Sequence, residues 1–270
     1  MSPRLQDPNI VRTKKDSTLH HPAWANYSPI HIEPYRANNR ARSSLHPTRA
    51  SNVVMPRNHI ANPERPLATI PIEEPPLPRS FYDREVLDIA PDLIGKVLVH
   101  RSAEGTTAGR IVECEAYRGP EDLAAHSVGG RRTRRTEAMF GPPGRTYMFL
   151  LYGVNWAFNV VVAAEGSPHA ILVRAIEPTH GLDLMSKRRG VEQHRVTLTN
   201  GPGKLTSAMG LDASHYSEDL CGTRLFITSG VSRTIGISPR INVDYAGEHA
   251  LLPWRYYERG NRYVSVNPKS

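Results

Sequence analysis

The sequence predicts an α+β fold: a single domain with a mixed, mainly antiparallel β core surrounded by short helices, preceded by a disordered N-terminal arm. Three observations lead to this prediction. Residues 1–78 carry 13 of the 23 prolines and show no sustained apolar period. From residue 79 onward, short β-branched or aromatic runs recur with brief turns between them. The helical patterns are few and short, so they do not form a repeated strand–helix–strand unit.

Residues 1–78 are interpreted as a flexible, basic, proline-rich arm. They hold 10 Lys or Arg against 6 Asp or Glu, and they are rich in Asn, Ser and His. Such a segment buries too little apolar surface to offset the conformational entropy that ordering costs. We therefore expect the domain to span residues 79–270, with Met55 as an alternative start of the chain.

Apolar runs and turn residues predict the helices and strands of the folded part. It is expected to open with a short helix through residues 83–90, which Ser80 caps. Hairpin-like spacing then predicts strands at residues 96–100 and 110–117. Further strands are predicted at residues 147–152, 157–163, 170–176, 224–228 and 263–266, and helices at residues 181–189 and 204–211.

Composition limits the possible classes of function. The chain has no secretory apolar region and no run of about 18 apolar residues that could span a membrane. Its two cysteines, Cys114 and Cys221, cannot build a disulfide framework, and no His or Cys spacing indicates a metal site. No glycine-rich cofactor loop is present, so no cofactor is expected. We expect a protein that is not secreted, in the cytoplasm or nucleoid of a prokaryote or the nucleus of a eukaryote.

The charge balance favours a polyanionic partner. The net charge is +8, and basic clusters lie at residues 131–135 and 187–189. Lys and Arg side chains that replace counterions at phosphates provide most of the nonspecific affinity for nucleic acid. A solvated basic surface is the alternative interpretation.

The most informative stretch is Arg110-Ile-Val-Glu-Cys-Glu-Ala-Tyr117. Alternate side chains of a strand point to the same face, so one face should carry Ile111, Glu113, Glu115 and Tyr117. Glu115 could activate a water, Tyr117 could hold a flat electron-poor group, and His126 follows within reach of a loop. The alternative is an edge strand with solvated glutamates.

Two rings near the end of a later strand have different predicted positions. Phe149 shares a face with Tyr147, whereas Tyr152 ends the strand on the other side, just before Gly153. A ring presented beside a turn suits a wedge between base pairs. The alternative is an ordinary core or rim tyrosine.

Two polar side chains interrupt apolar strands. Asn159 needs hydrogen-bond partners, either in a structural network or on a polar ligand. Arg174 needs a carboxylate or phosphate, and either Glu115 or the adjacent Glu177 could pair with it.

Taken in order, these motifs resemble one family. They include residues 94–99, 109–122, 125–127, 139–144 and 152–153, then Asn159 and the runs 173–178, 200–205 and 239–241. The chain is similar to the alkyladenine, or 3-methyladenine, DNA glycosylases of the mammalian type over about residues 81–267. The arm has no counterpart in this resemblance.

The resemblance implies roles for individual residues. Glu115 matches the general base, and Arg174 matches a residue that helps hold the catalytic water. The rings of Tyr117, His126 and Phe149 match the walls around a flipped base, although many relatives carry tyrosine where this chain has Phe149. Asn159 matches the amide that disfavours undamaged guanine, and Tyr152 matches the ring that fills the gap in the duplex.

The implied protein is a monomeric, monofunctional glycosylase of base-excision repair. It would act on double-stranded DNA that contains alkylated or deaminated purines and leave an abasic site, with no metal and no lyase step. Extruding a base costs a few kcal/mol, least for damaged bases. Two rivals remain open, a non-catalytic protein that binds damaged DNA and a hydrolase of free nucleosides.

Overall fold

Eight antiparallel strands organise the protein in its computed structural model, which describes residues 72–231 and 234–266. The strands are β1 (Val97–Ser102), β2 (Gly105–Arg118), β3 (Thr146–Leu151), β4 (Asn155–Val162), β5 (His169–His180), β6 (Leu225–Thr228), β7 (Ile235–Ser238) and β8 (Arg255–Glu258). The α-helices are α1 (Arg79–Tyr82), α2 (Val86–Leu93), α3 (Leu182–Arg189) and α4 (Pro202–Met209). The predicted α+β class with a mainly antiparallel sheet is confirmed.

The long strand β2 is the centre of the sheet. The strand order is β3-β4-β5-β2-β1-β6, and β8 pairs with β2 and β7. Along one edge, β2 pairs first with β1 and then with β8, while β5 covers its other edge. The middle of β2 is therefore buried on both sides, as the row of buried residues from 107 to 116 shows.

The short helices cover one face of this sheet. Apolar side chains of α2 and α4 are fully buried in the main core, where they pack with residues of β2, β4 and β5. Helical spacing explains the pattern in α2, because Val86, Ile89, Ala90 and Leu93 lie on one stripe. The other face of the sheet is left for polar residues and loops, and it holds the candidate site.

A β-bulge in β2 corrects one expectation about its faces. The register against β5 shifts between Ile111 and Glu113, so two residues of β2 oppose Ala175 alone. Ile111 consequently packs in the main core with Cys114 instead of sharing a face with Glu113. The extra residue reverses the alternation upstream of it, which a strict period of two could not predict.

Other elements also differ from the predictions. The opening helix predicted at residues 83–90 corresponds to α2, whose N-cap is Glu85, while the predicted cap Ser80 lies inside the separate four-residue helix α1. The strand predicted at residues 263–266 is wrong, because this segment forms turns and bends. β7 and β8 were not predicted. Both are only four residues long, and neither has the unbroken apolar run that predicted β6, a strand of the same length.

The last residues of the predicted arm contact the sheet. The rest of the arm, residues 1–71, lies outside the described residues. Leu77 donates its backbone N–H to the Ile227 oxygen at 2.8 Å, and the Thr228 hydroxyl donates to the Pro75 oxygen at 2.8 Å. Residues 75–77 thus extend the edge of the sheet at β6.

Candidate active site

A cavity of about 380 Å³ lies among β2, β3, β4, β5 and the loops that contain residues 124–126 and 241–245. This volume falls within the range of roughly 300–1,000 Å³ that is usual for small-molecule sites. The lining includes Tyr117, His126, Phe149, Tyr152, Asn159 and Arg174, all of which were predicted for the site. Glu115 is the remaining predicted residue, and it lies fully buried just behind two of them.

Three donors orient the Glu115 carboxylate. Tyr117 donates its hydroxyl to Oε2 at 2.9 Å, and Arg174 donates Nη1–H to the same oxygen at 3.2 Å. The backbone N–H of Ile241 donates to Oε1 at 2.8 Å. Because both oxygens are held at fixed positions beside the cavity, this carboxylate is suited to accept a proton from a water in a defined direction.

Arg174 links Glu115 to a second buried carboxylate. Its Nε donates to Oε1 of Glu113 at 2.9 Å, and Arg255 Nε donates to that same oxygen at 2.8 Å. Burial lowers the pKa of Arg174, but Glu115 and Glu113 outweigh it, so the pKa lies above its ordinary value. The negative charges of the two carboxylates and the positive charges of the two guanidinium groups therefore balance inside the sheet.

The alternative partner proposed for Arg174 is excluded. Glu177 instead forms an ion pair with Arg110, which also pairs with Glu258. The bulge in β2 separates this ion pair from the one at Glu115.

Tyr117 forms the part of the wall that contacts Glu115. Its pKa is raised well above the ordinary value by burial and by the neighbouring charge of Glu115, which its hydroxyl also contacts. The phenol is thus neutral and remains a hydrogen-bond donor to the carboxylate at ordinary pH.

An aromatic cluster is formed by Tyr147 and Phe149 on β3 together with His126 from the loop after β2. The rings of Tyr147 and Phe149 stack with centroids 5.5 Å apart, and the ring of His126 meets Phe149 edge-on at 4.6 Å. Arg135 donates Nε–H to the Tyr147 hydroxyl at 3.4 Å, and that hydroxyl lies 2.9 Å from Nδ1 of His126. We assign the hydroxyl proton to this second bond, which leaves the proton of a neutral His126 on Nε2.

His126 is uncharged at neutral pH. Burial, together with the positive charges of Arg135 and Arg131, lowers its pKa from 6.5 to about 4. A neutral imidazole beside the cavity can stack on a cationic ring without repelling it.

This pKa gives His126 a measurable effect on stability. Below pH 6.5 the unfolded chain binds a proton that the folded His126 does not bind until about pH 4. Stability must therefore fall as pH drops through this window. In chemical denaturation, wild type should lose about 2 kcal/mol more than His126→Gln between pH 7.5 and pH 5. Parallel pH profiles of the two proteins would contradict the lowered pKa.

Asn159 lies on β4 opposite Tyr147, and its buried amide faces the cavity. Its Nδ2 donates to the backbone oxygen of Tyr147 at 2.9 Å. This hydrogen bond fixes the orientation of the amide. The alternation of side chains along the strand had not decided whether Asn159 faces the cavity.

Tyr152 projects from the turn between β3 and β4. The residue is 88% exposed and has φ +51°, and Val154 beside it is 78% exposed. Gly153, with φ +74°, allows the tight turn that presents them. Such exposure excludes the interpretation of Tyr152 as an ordinary core tyrosine.

A basic groove of about 590 Å³ lies beside the cavity. It shares Tyr152, Arg174, Ile241 and Asn242 with the cavity lining. The groove is also lined by Arg189 and Lys204. Nζ of Lys204 donates to Oδ1 of Asn200 at 2.9 Å. Two cationic side chains, Arg189 and Lys204, therefore line the groove next to the cavity.

Several site residues were not singled out from the sequence. They are Glu113 and Arg255 in the ion-pair cluster, the Ile241 amide, Tyr147 and Arg135 in the aromatic cluster, and Tyr245 at the mouth. Tyr245 is 71% exposed, and its hydroxyl donates to the Ala124 oxygen at 3.1 Å. Glu113 and Tyr147 carried a usable signal, since each alternates with a predicted site residue on its own strand, Glu115 and Phe149 respectively.

Within the described residues 72–231 and 234–266, no group of three His, Cys, Asp or Glu side chains is placed to hold a metal ion. No helix in these ranges has the length and apolar character to cross a membrane.

Comparison with known proteins gives consistent similarities. The family profile described as methylpurine-DNA glycosylase matches residues 80–262. A Bacillus velezensis protein named "Putative 3-methyladenine DNA glycosylase" is 48% identical over 194 residues, which cover 72% of this chain and 98% of the relative. Proteins of the same name from Desulfitobacterium hafniense and Methanocella arvoryzae are 46% and 44% identical over 199 and 193 residues. These matches cover 70% and 71% of this chain, and 98% and 96% of the relatives.

Proposed function

The chain belongs to the methylpurine-DNA glycosylase family, a family of DNA-repair hydrolases, and from this premise we propose how it acts. It extrudes an alkylated or deaminated purine from duplex DNA and hydrolyses the N-glycosidic bond. The product is an abasic site with an intact backbone. The observation that carries the proposal is the carboxylate of Glu115, oriented by three donors directly behind an aromatic cavity.

The mouth of the cavity suits extrusion from a duplex. Extruding a base from the stack costs a few kcal/mol, so the base returns to the stack unless another group fills the gap. Tyr152 offers an exposed ring beside the entrance, and it enters the gap as the base leaves. The neighbouring groove with Lys204 and Arg189 holds the strand phosphates.

The cavity holds the extruded purine between rings. Tyr117 forms one wall, and His126 and Phe149 form the other. Alkylation at N3 or N7 makes a purine cationic, and aromatic faces attract cations by about 0.5–2 kcal/mol. The neutral His126 ring preserves this attraction, because a protonated imidazole would oppose it.

Hydrolysis requires one activated water. Glu115 accepts a proton from this water, and Arg174 orients it for attack at the sugar C1′ as the bond to the purine nitrogen breaks. The departing base carries away the bonding electron pair, so a cationic base leaves as a neutral molecule. An uncharged base such as hypoxanthine leaves as an anion and takes up a proton from solvent. General-base assistance of this kind contributes about 10²–10⁴-fold. The described cavity lining includes no lysine, which supports hydrolysis without a Schiff base.

Two residues set the base preference in this proposal. Phe149 stacks on the base but has no hydroxyl, so this ring recognises the base by shape alone. The fixed amide of Asn159 crowds the edge where guanine carries its 2-amino group. Adenine derivatives and hypoxanthine lack that group and are accepted.

Asn159→Ser is expected to relax this preference. Serine is too short to crowd the 2-amino group, so release of guanine or 7-methylguanine should rise relative to hypoxanthine. An unpaired or displaced polar group is worth about 1–3 kcal/mol, which corresponds to about 5- to 150-fold. Competition between hypoxanthine and guanine duplexes measures the ratio. Asn261→Ser, outside the cavity lining, is the matched control, and an unchanged ratio in Asn159→Ser would assign that amide a structural role only.

One assay separates this function from its rivals. Duplexes with a single hypoxanthine, ethenoadenine or 7-methylguanine are compared with the free nucleosides, and released base is quantified. Excision from duplex alone supports the glycosylase. Release from nucleosides at equal efficiency indicates a nucleoside hydrolase, and tight duplex binding without release indicates a damage-binding protein.

A further inference from the structure

We propose that Arg240 is a positioning residue: together with Asp122 it forms a buried brace that holds three parts of the active site in register. This inference rests on the proposed glycosylase function. Neither residue is among those that line the cavity, so the brace acts on the reaction through its neighbours.

Arg240 and Asp122 form a fully buried ion pair that joins two loops. Both side chains are 0% exposed, and Nη2 of Arg240 donates to Oδ1 of Asp122 at 2.8 Å while Nη1 donates to Oδ2. The same guanidinium donates to the backbone oxygens of Ala116 at 3.0 Å and His249 at 3.1 Å. One side chain thus connects β2, the loop after β2 and the segment that precedes β8.

The plane of the guanidinium supports the Tyr117 wall. Its central carbon lies 4.8 Å from the Tyr117 ring centroid and 5.1 Å from that of Trp254. Cation–π contacts contribute about 0.5–2 kcal/mol, more when they are desolvated. Tyr117 is therefore supported by a charged group on the side that packs against the protein, which limits its movement when a base stacks on it.

The brace also places the donor to Glu115. Ile241 follows Arg240 directly, and its N–H is the donor at 2.8 Å to Oε1 of Glu115. Fixing the Arg240 side chain fixes the peptide that carries this N–H. Displacement of this peptide by an ångström would turn the carboxylate, and a misplacement of that size can reduce a rate about 10²-fold.

The third connection leads toward His126. Asp122 accepts the backbone N–H of Ala124 at 2.9 Å, and Ala124 lines the cavity two residues before His126. Tyr245, in the loop that contains residues 241–245, donates its hydroxyl to the backbone oxygen of the same residue, Ala124. The loop that presents His126 is therefore attached to the loop that presents Ile241.

Arginine is specifically suited to this position. Burial lowers the pKa of Arg240, but Asp122 outweighs it through its hydrogen bonds and charge, so the pKa lies above the ordinary value. A planar fork can pair with both oxygens of Asp122, reach two carbonyls and stack between two rings at once. A lysine ammonium can preserve the charge but not this combination of contacts.

Arg240→Lys tests the brace against a matched control, Arg110→Lys. Arg110 is another buried arginine, on β2, with two carboxylate partners, and it does not line the cavity. The single-turnover rate of excision is measured on a duplex that contains hypoxanthine. The enzyme is in excess over the duplex, and its concentration is varied. The maximal rate of Arg240→Lys should fall about 10- to 100-fold. The enzyme concentration at half-maximal rate should stay within about 3-fold of wild type, because phosphate contacts dominate affinity.

The control separates positioning from general stability. Both variants are expected to melt at lower temperature, yet Arg110→Lys should keep a maximal rate within about 3-fold of wild type, since only its own ion pairs are disturbed. Equal maximal rates for Arg240→Lys, Arg110→Lys and wild type would overturn the brace. A wild-type protein that releases no base would instead contradict the proposed function, and that result is visible in the same assay.

A milder pair of variants decides the question if Arg240→Lys does not fold. Trp254→Leu removes one stacking partner and leaves the Arg240–Asp122 ion pair intact. Its maximal rate should fall several-fold, whereas Trp156→Leu, a tryptophan on β4 outside the cavity lining, should leave the rate unchanged. A rate for Trp254→Leu equal to that of Trp156→Leu would refute the support of Tyr117 by the brace.

Discussion

Glu115→Gln is expected to abolish base excision, with a loss of about 10²–10⁴-fold in the single-turnover rate. The amide has nearly the shape of the carboxylate but cannot accept the proton of the attacking water. Its affinity for damaged duplex should stay within a few-fold of wild type, because the residue is buried behind the cavity wall and away from the phosphates.

The geometry predicts an additional effect of this variant on stability. Arg174 and Tyr117 donate to one oxygen of Glu115 and the Ile241 amide donates to the other, so the NH₂ end of a glutamine must face a donor. A lower melting temperature is therefore expected, and folding has to be checked by circular dichroism before rates are compared.

Glu177→Gln is the matched control for this prediction. Glu177 also forms an ion pair with a buried arginine, Arg110, but its partners Arg110 and Asn261 do not line the cavity, whereas the three donors to Glu115 do. Glu177→Gln should retain the wild-type rate despite some loss of stability. Excision by Glu115→Gln at a rate close to that of this control would contradict the assignment of Glu115 as the base.

Tyr152→Ala is expected to weaken binding to damaged duplex by about 5- to 150-fold, because stacking between a base and an aromatic ring is worth about 1–3 kcal/mol. The loss should be much smaller on single-stranded substrate, since only a duplex leaves a gap for the ring to fill. Binding and single-turnover excision are measured on both substrates that carry the same hypoxanthine.

An exposed apolar residue elsewhere gives the control for Tyr152. Leu251 is 76% exposed and lies outside the linings of both the cavity and the basic groove. Leu251→Ala should change neither duplex nor single-strand binding. Equal losses on the two substrates in Tyr152→Ala would mean that the ring contacts the damaged strand directly instead of replacing the extruded base.

Local periodicity predicted the parts of the site that lie on one strand. Because side chains alternate along a regular strand, Glu113, Glu115 and Tyr117 were expected to share a face once β2 was recognised, whereas the bulge made the same expectation wrong for Ile111. The requirement that a buried guanidinium find a carboxylate likewise predicted a partner for Arg174. These inferences need only neighbouring residues and general rules of burial.

The sequence by itself therefore determined the α+β class, the strand that carries Glu115 and the residue types available for chemistry. The contacts among these residues depend on the tertiary structure. The bulge that moves Ile111 into the core, the Ile241 amide on Glu115 and the Arg240–Asp122 pair depend on which strands lie together. Asp122 and Arg240 are 118 positions apart, and Glu115 and Ile241 are 126 positions apart. No local pattern relates such residues, because strand pairing and loop packing, not spacing along the chain, bring them within hydrogen-bonding distance.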